Sequence, residues 1–366
     1  MLMKEVSKSG VALLLGTASA LSLKITYGLE NGFIPLLQTG LVFLAMALLL
    51  PVYYLTNVWH SNQVVVTLDR KKLVQLCRPA AIDVLATALG MGGLMYLAPS
   101  IHKLLQYGVM PIVAIIRSLA MKDVFMPVSW SSVILYTIAI GIIALSVIYR
   151  DNATSAMATE GLLLLAGSCL VQSVLFIVDA DPVGTLPPLV GIGVQGLWGC
   201  IILILFVYPI AYFTSFENIF DSVASIYSSW GLILSTLTTV LTTTAFHISA
   251  INVLYDLDDV YSFILATGLA PSVWIVGLIL EYTTALPLGA AWAGWSSVCQ
   301  LFGMGLLLYA TTLVHDEAPE LPCGDSHRVF AYSASGVVPE PCLSNRVVDY
   351  GAFKAADYKS RRSFVI

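Results

Sequence analysis

Charge is what this sequence has least of. Of its 366 residues, 11% are Asp, Glu, Lys or Arg, and 58% are hydrophobic. A soluble domain carries about 25% charged residues, so one water-soluble core is excluded. The scarcity is also uneven. All 17 Lys and Arg fall in residues 1–150 and 328–362, and none lies between Asp151 and His327, a stretch with 14 acidic residues. Long-range attraction to a polyanion needs clustered basic residues, so no nucleic-acid partner is expected.

Other absences narrow the function. The six cysteines (Cys77, Cys169, Cys200, Cys299, Cys323, Cys342) show no CxxC or other ligand spacing. Three of them sit in apolar runs, where a thiol behaves as a small hydrophobe. There is no P-loop, which excludes an ATP-driven pump, and no HExxH or nucleophile with a paired base. The chain is therefore not expected to be an enzyme or to carry a cofactor or metal.

What the sequence does have is long apolar runs, with mean hydropathy +0.87. Ten spans are expected, at 10–29, 33–55, 79–98, 101–121, 130–149, 160–178, 188–210, 229–251, 260–280 and 289–312. Each is long enough to cross a bilayer as a helix, which satisfies its own backbone in lipid. The first run follows Lys4 and Lys8 as a secretory signal would. It is longer than a signal's apolar core and no suitable small-residue cleavage site follows, so it reads as a retained helix.

Orientation follows from basic residues at span ends. Lys4, Lys8, Arg70, Lys71, Lys72, Arg78, Arg117, Lys122, Lys359, Arg361 and Arg362 fall on one side, against Lys103 and Arg150 on the other. Both termini are expected in the cytosol. The two halves also echo each other. "LLLPVYYL" matches "FVYPIAYF", "VMPIVAII" matches "LAPSVWIV", and "WSSV" recurs. The offsets are 158, 160 and 165 residues (Pro51 to Pro209, Pro111 to Pro271, Trp130 to Trp295). Five spans is an odd number, so the second copy inserts upside down. The expectation is an all-α membrane protein of ten transmembrane helices in two inverted five-helix repeats, 1–156 and 157–312. That is a common plan for secondary transporters. Residues 313–366 are polar and aperiodic and read as a disordered cytosolic tail.

A few polar residues interrupt the spans, and each has two readings. Lys24 shares a helical face with Gly16, Ala20 and Tyr27, which points it into the bundle. A charge at mid-helix costs about 2.5–3.5 kcal/mol and is usually functional; alternatively Lys24 snorkels to the interface. Asp83 either favours the positive N-terminal end of its helix or lines a cavity. His102 and Lys103, with Gln106 and Tyr107, are either interfacial anchors or cavity residues. His247 follows Thr242, Thr243 and Thr244, and is either hydrogen-bonded to one of them or a substrate or proton site. Asn152-Ala153-Thr154 is a glycosylation sequon on the expected non-cytosolic side. Tyr350 to Phe353 resembles a tyrosine-based sorting signal.

"GTASALSLK", "PLLQT" and "RPAAIDVLATALGMGGLMYLAPS" together resemble the first three spans of solute carrier family 35, subfamily F. That group, within the drug/metabolite transporter superfamily, is related to nucleotide-sugar transporters. The resemblance matches Lys24 to a lysine late in span one, and Asp83 and Thr87 to a Cys-Asp-x-x-x-T motif with Ile82 in the Cys position. It matches "GVQGLWG" to a GxEGxxG motif and Trp274 to a tryptophan of span nine. It implies ten helices and alternating access. Where the family pattern carries charge, this chain has Gln195, Tyr107, Tyr255, Ala266 and Leu269. Phosphates of a nucleotide sugar call for Lys or Arg, and only Lys24 and Lys103 remain as intramembrane candidates, Arg117 being counted with the basic residues at span ends.

The expected function is secondary transport of a small organic solute across an endomembrane (lysosome, vacuole or Golgi). The expected cavity is lined by Lys24, Asp83, His102, Lys103, Gln195 and His247, with Lys24 the first choice for an anionic group. Protons are the expected coupling ion. The alternatives are a nucleotide-sugar antiporter and, from another class, a non-transporting scaffold or sorting partner of transporter descent.

Overall fold

The computed structural model describes residues 2–29, 34–59, 70–116, 118–119, 127–149, 155–178, 187–256, 259–284, 291–317, 330–333 and 336–339. Asn152, Tyr350 and Phe353 lie outside these residues. The first half comprises α1 (Leu2–Leu29), α2 (Pro35–Ala47), α3 (Leu49–Trp59), α4 (Arg70–Gln75), α5 (Cys77–Tyr96), α6 (Pro99–Leu105), α7 (Val109–Ile116) and α8 (Pro127–Ile148). The second comprises α9 (Ser155–Val178), α10 (Pro188–Ile202), α11 (Tyr208–Phe213), α12 (Ile219–Ser228), α13 (Trp230–Asp256), α14 (Asp259–Thr283) and α15 (Trp295–Glu317). In the tail, where the sequence leads one to expect no structure, β1 (Phe330–Ser333) pairs antiparallel with β2 (Gly336–Pro339).

Eight stretches among the described residues are long and apolar enough to cross a membrane: Val6–Leu29, Pro35–Thr56, Leu73–Tyr96, Trp130–Ile148, Met157–Phe176, Pro188–Phe213, Trp230–Val253 and Trp295–Leu313. Each lies within a few residues of an expected span. Large apolar side chains such as Leu14, Leu55, Leu163 and Phe302 are exposed on them, as suits a lipid-facing surface. The chain is a helical membrane protein. The two remaining expected spans, 101–121 and 260–280, are occupied by α6 and α7 and by α14.

Proline decides where these helices break. Pro35, Pro99 and Pro188 open α2, α6 and α10, where a missing N–H costs nothing. Ala98, just before Pro99, is extended (φ −66°, ψ 146°), so α5 and α6 meet in a sharp turn. Inside a helix, proline removes an i→i−4 bond. The backbone interrupts at Leu48 before Pro51, in a 3-10 turn (Gln106–Gly108) before Pro111, and in a π turn (Leu203–Val207) before Pro209. Pro271 alone of these four has no such interruption before it and lies in the interior of α14.

Helices of the two halves interleave. α5 packs along α9, α1 along α13 and α14, α8 along α15, and α10 along α2 and α5. Small residues allow the approach. A Cβ on Gly93 of α5 would stand 3.1 Å from Gly161 O of α9, and one on Gly196 of α10 would stand 2.5 Å from Ala47 N of α2. Hydroxyl and amide bonds join the same helices. Ser168 Oγ donates to Ala86 O at 2.7 Å, Ser19 and Thr243 share a bond of 2.7 Å, and Tyr136 and Thr311 share one of 2.8 Å.

α12 has no counterpart among the expected spans. α11 ends in a Schellman turn: Phe216 N bonds Ala211 O at 3.0 Å and Ser215 takes a positive φ of 55°. Asn218 Oδ1 then caps α12 by accepting from Phe220 N at 3.2 Å. Phe216, Phe220 and Tyr227 are exposed while Ser222 is buried, the pattern of a helix lying along a membrane surface.

Candidate functional site

A small cleft, about 40 Å³ in volume, lies between helices of the bundle. Its walls come from α1, α2, α5, α6 with the following 3-10 turn, α9, α13 and α14, and hence from both halves of the chain. His102 and Lys103 of α6 and Gln106, the first residue of the 3-10 turn, lie on the cleft wall.

Of the six residues expected to line a cavity, three do so: His102, Lys103 and His247. His102 is 4% exposed, and its Nε2 lies 3.0 Å from Gly90 O. A carbonyl only accepts, so Nε2 carries the proton in this bond. Lys103 Nζ donates to Gln106 Oε1 at 3.1 Å, three residues on. His247, 1% exposed, faces these groups from α13, with its ring centroid 6.0 Å from that of Phe246. Thr87, Ser19, Thr243 and Ser168 add hydroxyls, while Leu23, Met91, Phe246 and Leu269 supply an apolar wall. Among the described lining residues Lys103 is the one formal cation, and no carboxylate lines the cleft.

The other three expected residues do different work. Lys24 Nζ donates to Leu94 O and Met95 O, both at 2.8 Å. These carbonyls belong to the last turn of α5, where four acceptors lack helical partners and the macrodipole is negative. Lys24 thus closes the end of α5 and is not part of the cleft wall; it turns inward, as its small-residue face leads one to expect. Asp83 is fully buried and Gln195 is 5% exposed. Gln195 Nε2 donates to Asp83 Oδ2 at 2.9 Å, tying α10 to α5, and Thr87 Oγ1 lies 3.4 Å from Asp83 Oδ1. Thr87 alone of this trio reaches the cleft.

Glu217 and Gln38 are among the buried polar residues that escaped sequence reading. Glu217, 4% exposed, accepts from Leu36 N at 2.8 Å and Leu37 N at 3.1 Å, which places a carboxylate on the N-terminus of α2. The signal was an acid just after an apolar run, in "TSFENIF", but nothing local names its partner. Gln38 is fully buried and donates to Leu23 O at 2.9 Å, stitching α2 to α1.

No family model matches the sequence, and no curated protein matches it. Among solved structures, 19 chains match. One, described as "Crystal structure of protein", is 13% identical, with a TM-score of 0.51, over 87% of this chain and 98% of its own. Likeness at that identity extends to the fold alone.

Proposed function

We propose that this chain is a secondary transporter carrying a small organic solute across an endomembrane by alternating access. The observation that carries the reading is the cleft, walled by helices of both halves and lined by His102, Lys103 and His247. A site shared between two halves opens to either side when one half rocks against the other.

The packing supports ten spans in two inverted repeats. Number the spans with α2 and α3 as the second, α6 and α7 as the fourth, and α10 and α11 as the seventh. Exchanging span n with span n+5 then carries the α5–α9 pair onto α13–α1, α10–α5 onto α2–α13, and α9–α7 onto α1–α14. Each pair is in contact. Hydrogen bonds recur in the same exchange. Gln195–Asp83 on one side answers Thr244–Ala45 O (3.1 Å) on the other, and Ser173–Val109 O (3.3 Å) answers Thr17–Ser272 (2.7 Å). The resemblance to solute carrier family 35 points the same way. In this reading both termini are cytosolic, and α12 lies on the lumenal surface.

Reconstitution into liposomes tests the function. Saturable uptake or counterflow of a small solute is the expected result. Exchange of a labelled nucleotide sugar for its monophosphate would instead identify a nucleotide-sugar antiporter. Monodisperse protein that moves no solute would leave a scaffold of transporter descent.

A further inference from the structure

We infer that Lys24 and Tyr27 are the clasp of a gate, and that their bonds to the end of α5 hold the cleft shut at one end. The inference rests on the transport reading. It adds which end is closed in this state and what closes it.

The clasp follows from how α5 stops. In a helix each carbonyl accepts from the N–H four residues on. Four residues after Met95 stands Pro99, which has no N–H, and the chain turns at Ala98. The last carbonyls of α5 therefore have no helical partner. Lys24 Nζ donates to two of them, Leu94 O and Met95 O, at 2.8 Å each. Tyr27 Oη, three residues further along α1, donates to Met91 O at 3.0 Å. Three bonds thus tie the last turns of α1 to the last turns of α5.

Packing makes this tie a gate and not part of a fixed seam. α1 packs along α13 and α14, whereas α5 packs along α9 and α10, and the two helices touch each other little. Both line the cleft, α1 through Ala20 and Leu23 and α5 through Gly90 and Met91. Lys24 and Tyr27 come next along α1, so their bonds join the two walls at the end where both helices finish. In the topology proposed above, that end faces the lumen.

The clasp can also open and re-form. Lys24 is five residues from the end of α1, and Met95 is one residue from the end of α5. At helix ends near the membrane surface, water takes over each carbonyl and a lysine extends to the interface. Exchanging a protein partner for water has a small net cost. The Asp83–Gln195 bond is buried inside the bundle, has no such replacement and keeps α5 on α10. Parting the clasp also moves the site. α6 starts directly after the turn that ends α5, so a displaced α5 end carries His102 and Lys103 with it.

The test reads access and needs no solute. A single reporter, Ala20→Cys, is placed in a variant whose six native cysteines are replaced by alanine. The protein in nanodiscs is then labelled with a membrane-impermeant maleimide. Ala20 lines the cleft and is 5% exposed, so labelling is slow with the clasp intact. Lys24→Met is expected to raise the rate about tenfold or more, the scale of one charge-assisted hydrogen bond. Should it fail to fold, Tyr27→Phe removes one bond, keeps the ring and gives a smaller rise. A second reporter, Ser9→Cys, is buried near the start of α1 and keeps its rate. Equal rises at both reporters would mean a general loosening, and no rise at Ala20→Cys in either clasp variant would mean that the bonds gate nothing. Either result overturns the gate, while solute uptake by the parent protein keeps the transport reading. No uptake of any solute by monodisperse parent protein overturns both.

Discussion

Lys24 Nζ donates to the main-chain oxygen of Leu94 at 2.8 Å, across 70 residues of sequence, and to Met95 O at the same distance. The lysine that looks most like a substrate group is thereby a helix-end cap. Lys24→Met keeps an unbranched side chain one atom shorter and removes the donors, leaving the Leu94 and Met95 carbonyls without this partner. Each such loss is worth about 1–3 kcal/mol, so thermal unfolding in detergent should begin many degrees lower. Affinity for a transported solute should change far less than stability, since Lys24 itself does not line the cleft. Lost affinity at an unchanged unfolding temperature would return Lys24 to the substrate site.

Asp83 and Gln195 make a second long-range pair, 2.9 Å apart and almost wholly buried. Gln195→Leu deprives a buried carboxylate of a donor, whereas Asp83→Asn changes the charge and keeps the shape. Residues in one hydrogen-bond network are not additive, and interaction energies of about 0.5–3 kcal/mol are usual. A double-mutant cycle on unfolding free energy should therefore show the two changes together costing less than their sum. Simple additivity would mean the bond contributes nothing.

These pairs show where sequence reading succeeds and stops. Apolar runs announced the membrane helices because burial in lipid constrains every residue of a span. The sequence echo of Pro111 in Pro271 did not carry over to the backbone: a 3-10 turn precedes Pro111, whereas Pro271 lies in the interior of α14. His102, Lys103 and His247 reach the cleft from spans that could be counted. That Lys24 serves Leu94, or that Glu217 serves Leu36, was not legible. Their partners are main-chain atoms, which every residue possesses, so no residue type marks them. α12 was missed for a related reason: only one face of its ten residues is apolar, too little for a span.

Glu217 offers a third measurement. Its two oxygens hold the amides of Leu36 and Leu37 at the start of α2, a helix with no side-chain cap of its own from Ile34. Removing an N-terminal cap costs about 0.5–2 kcal/mol, and the loss of a negative charge at the positive helix end adds to it. Glu217→Ala should lower the unfolding temperature clearly. Glu160→Ala, at an exposed position on α9, should leave it within about 0.5 kcal/mol of the parent. Equal effects would mean the carboxylate is incidental to α2.

The contact of α10 with α2 gives the sharpest contrast between two glycines. A Cβ on Gly196 would meet Ala47 N at 2.5 Å and Met46 Cβ at 2.6 Å, so most of the collision is with backbone, which has no rotamer to escape into. Gly196→Ala must push α10 away from α2. Overpacking of this kind costs about 1–3 kcal/mol. A Cβ on Gly141 of α8 would meet nothing within 4 Å. Gly141→Ala therefore gains helix propensity, up to about 1 kcal/mol, without a clash. The two alanines should move the unfolding temperature in opposite directions, Gly196→Ala down and Gly141→Ala level or up. A neutral Gly196→Ala would show that α10 and α2 separate at no cost, and the close approach would lose its structural role.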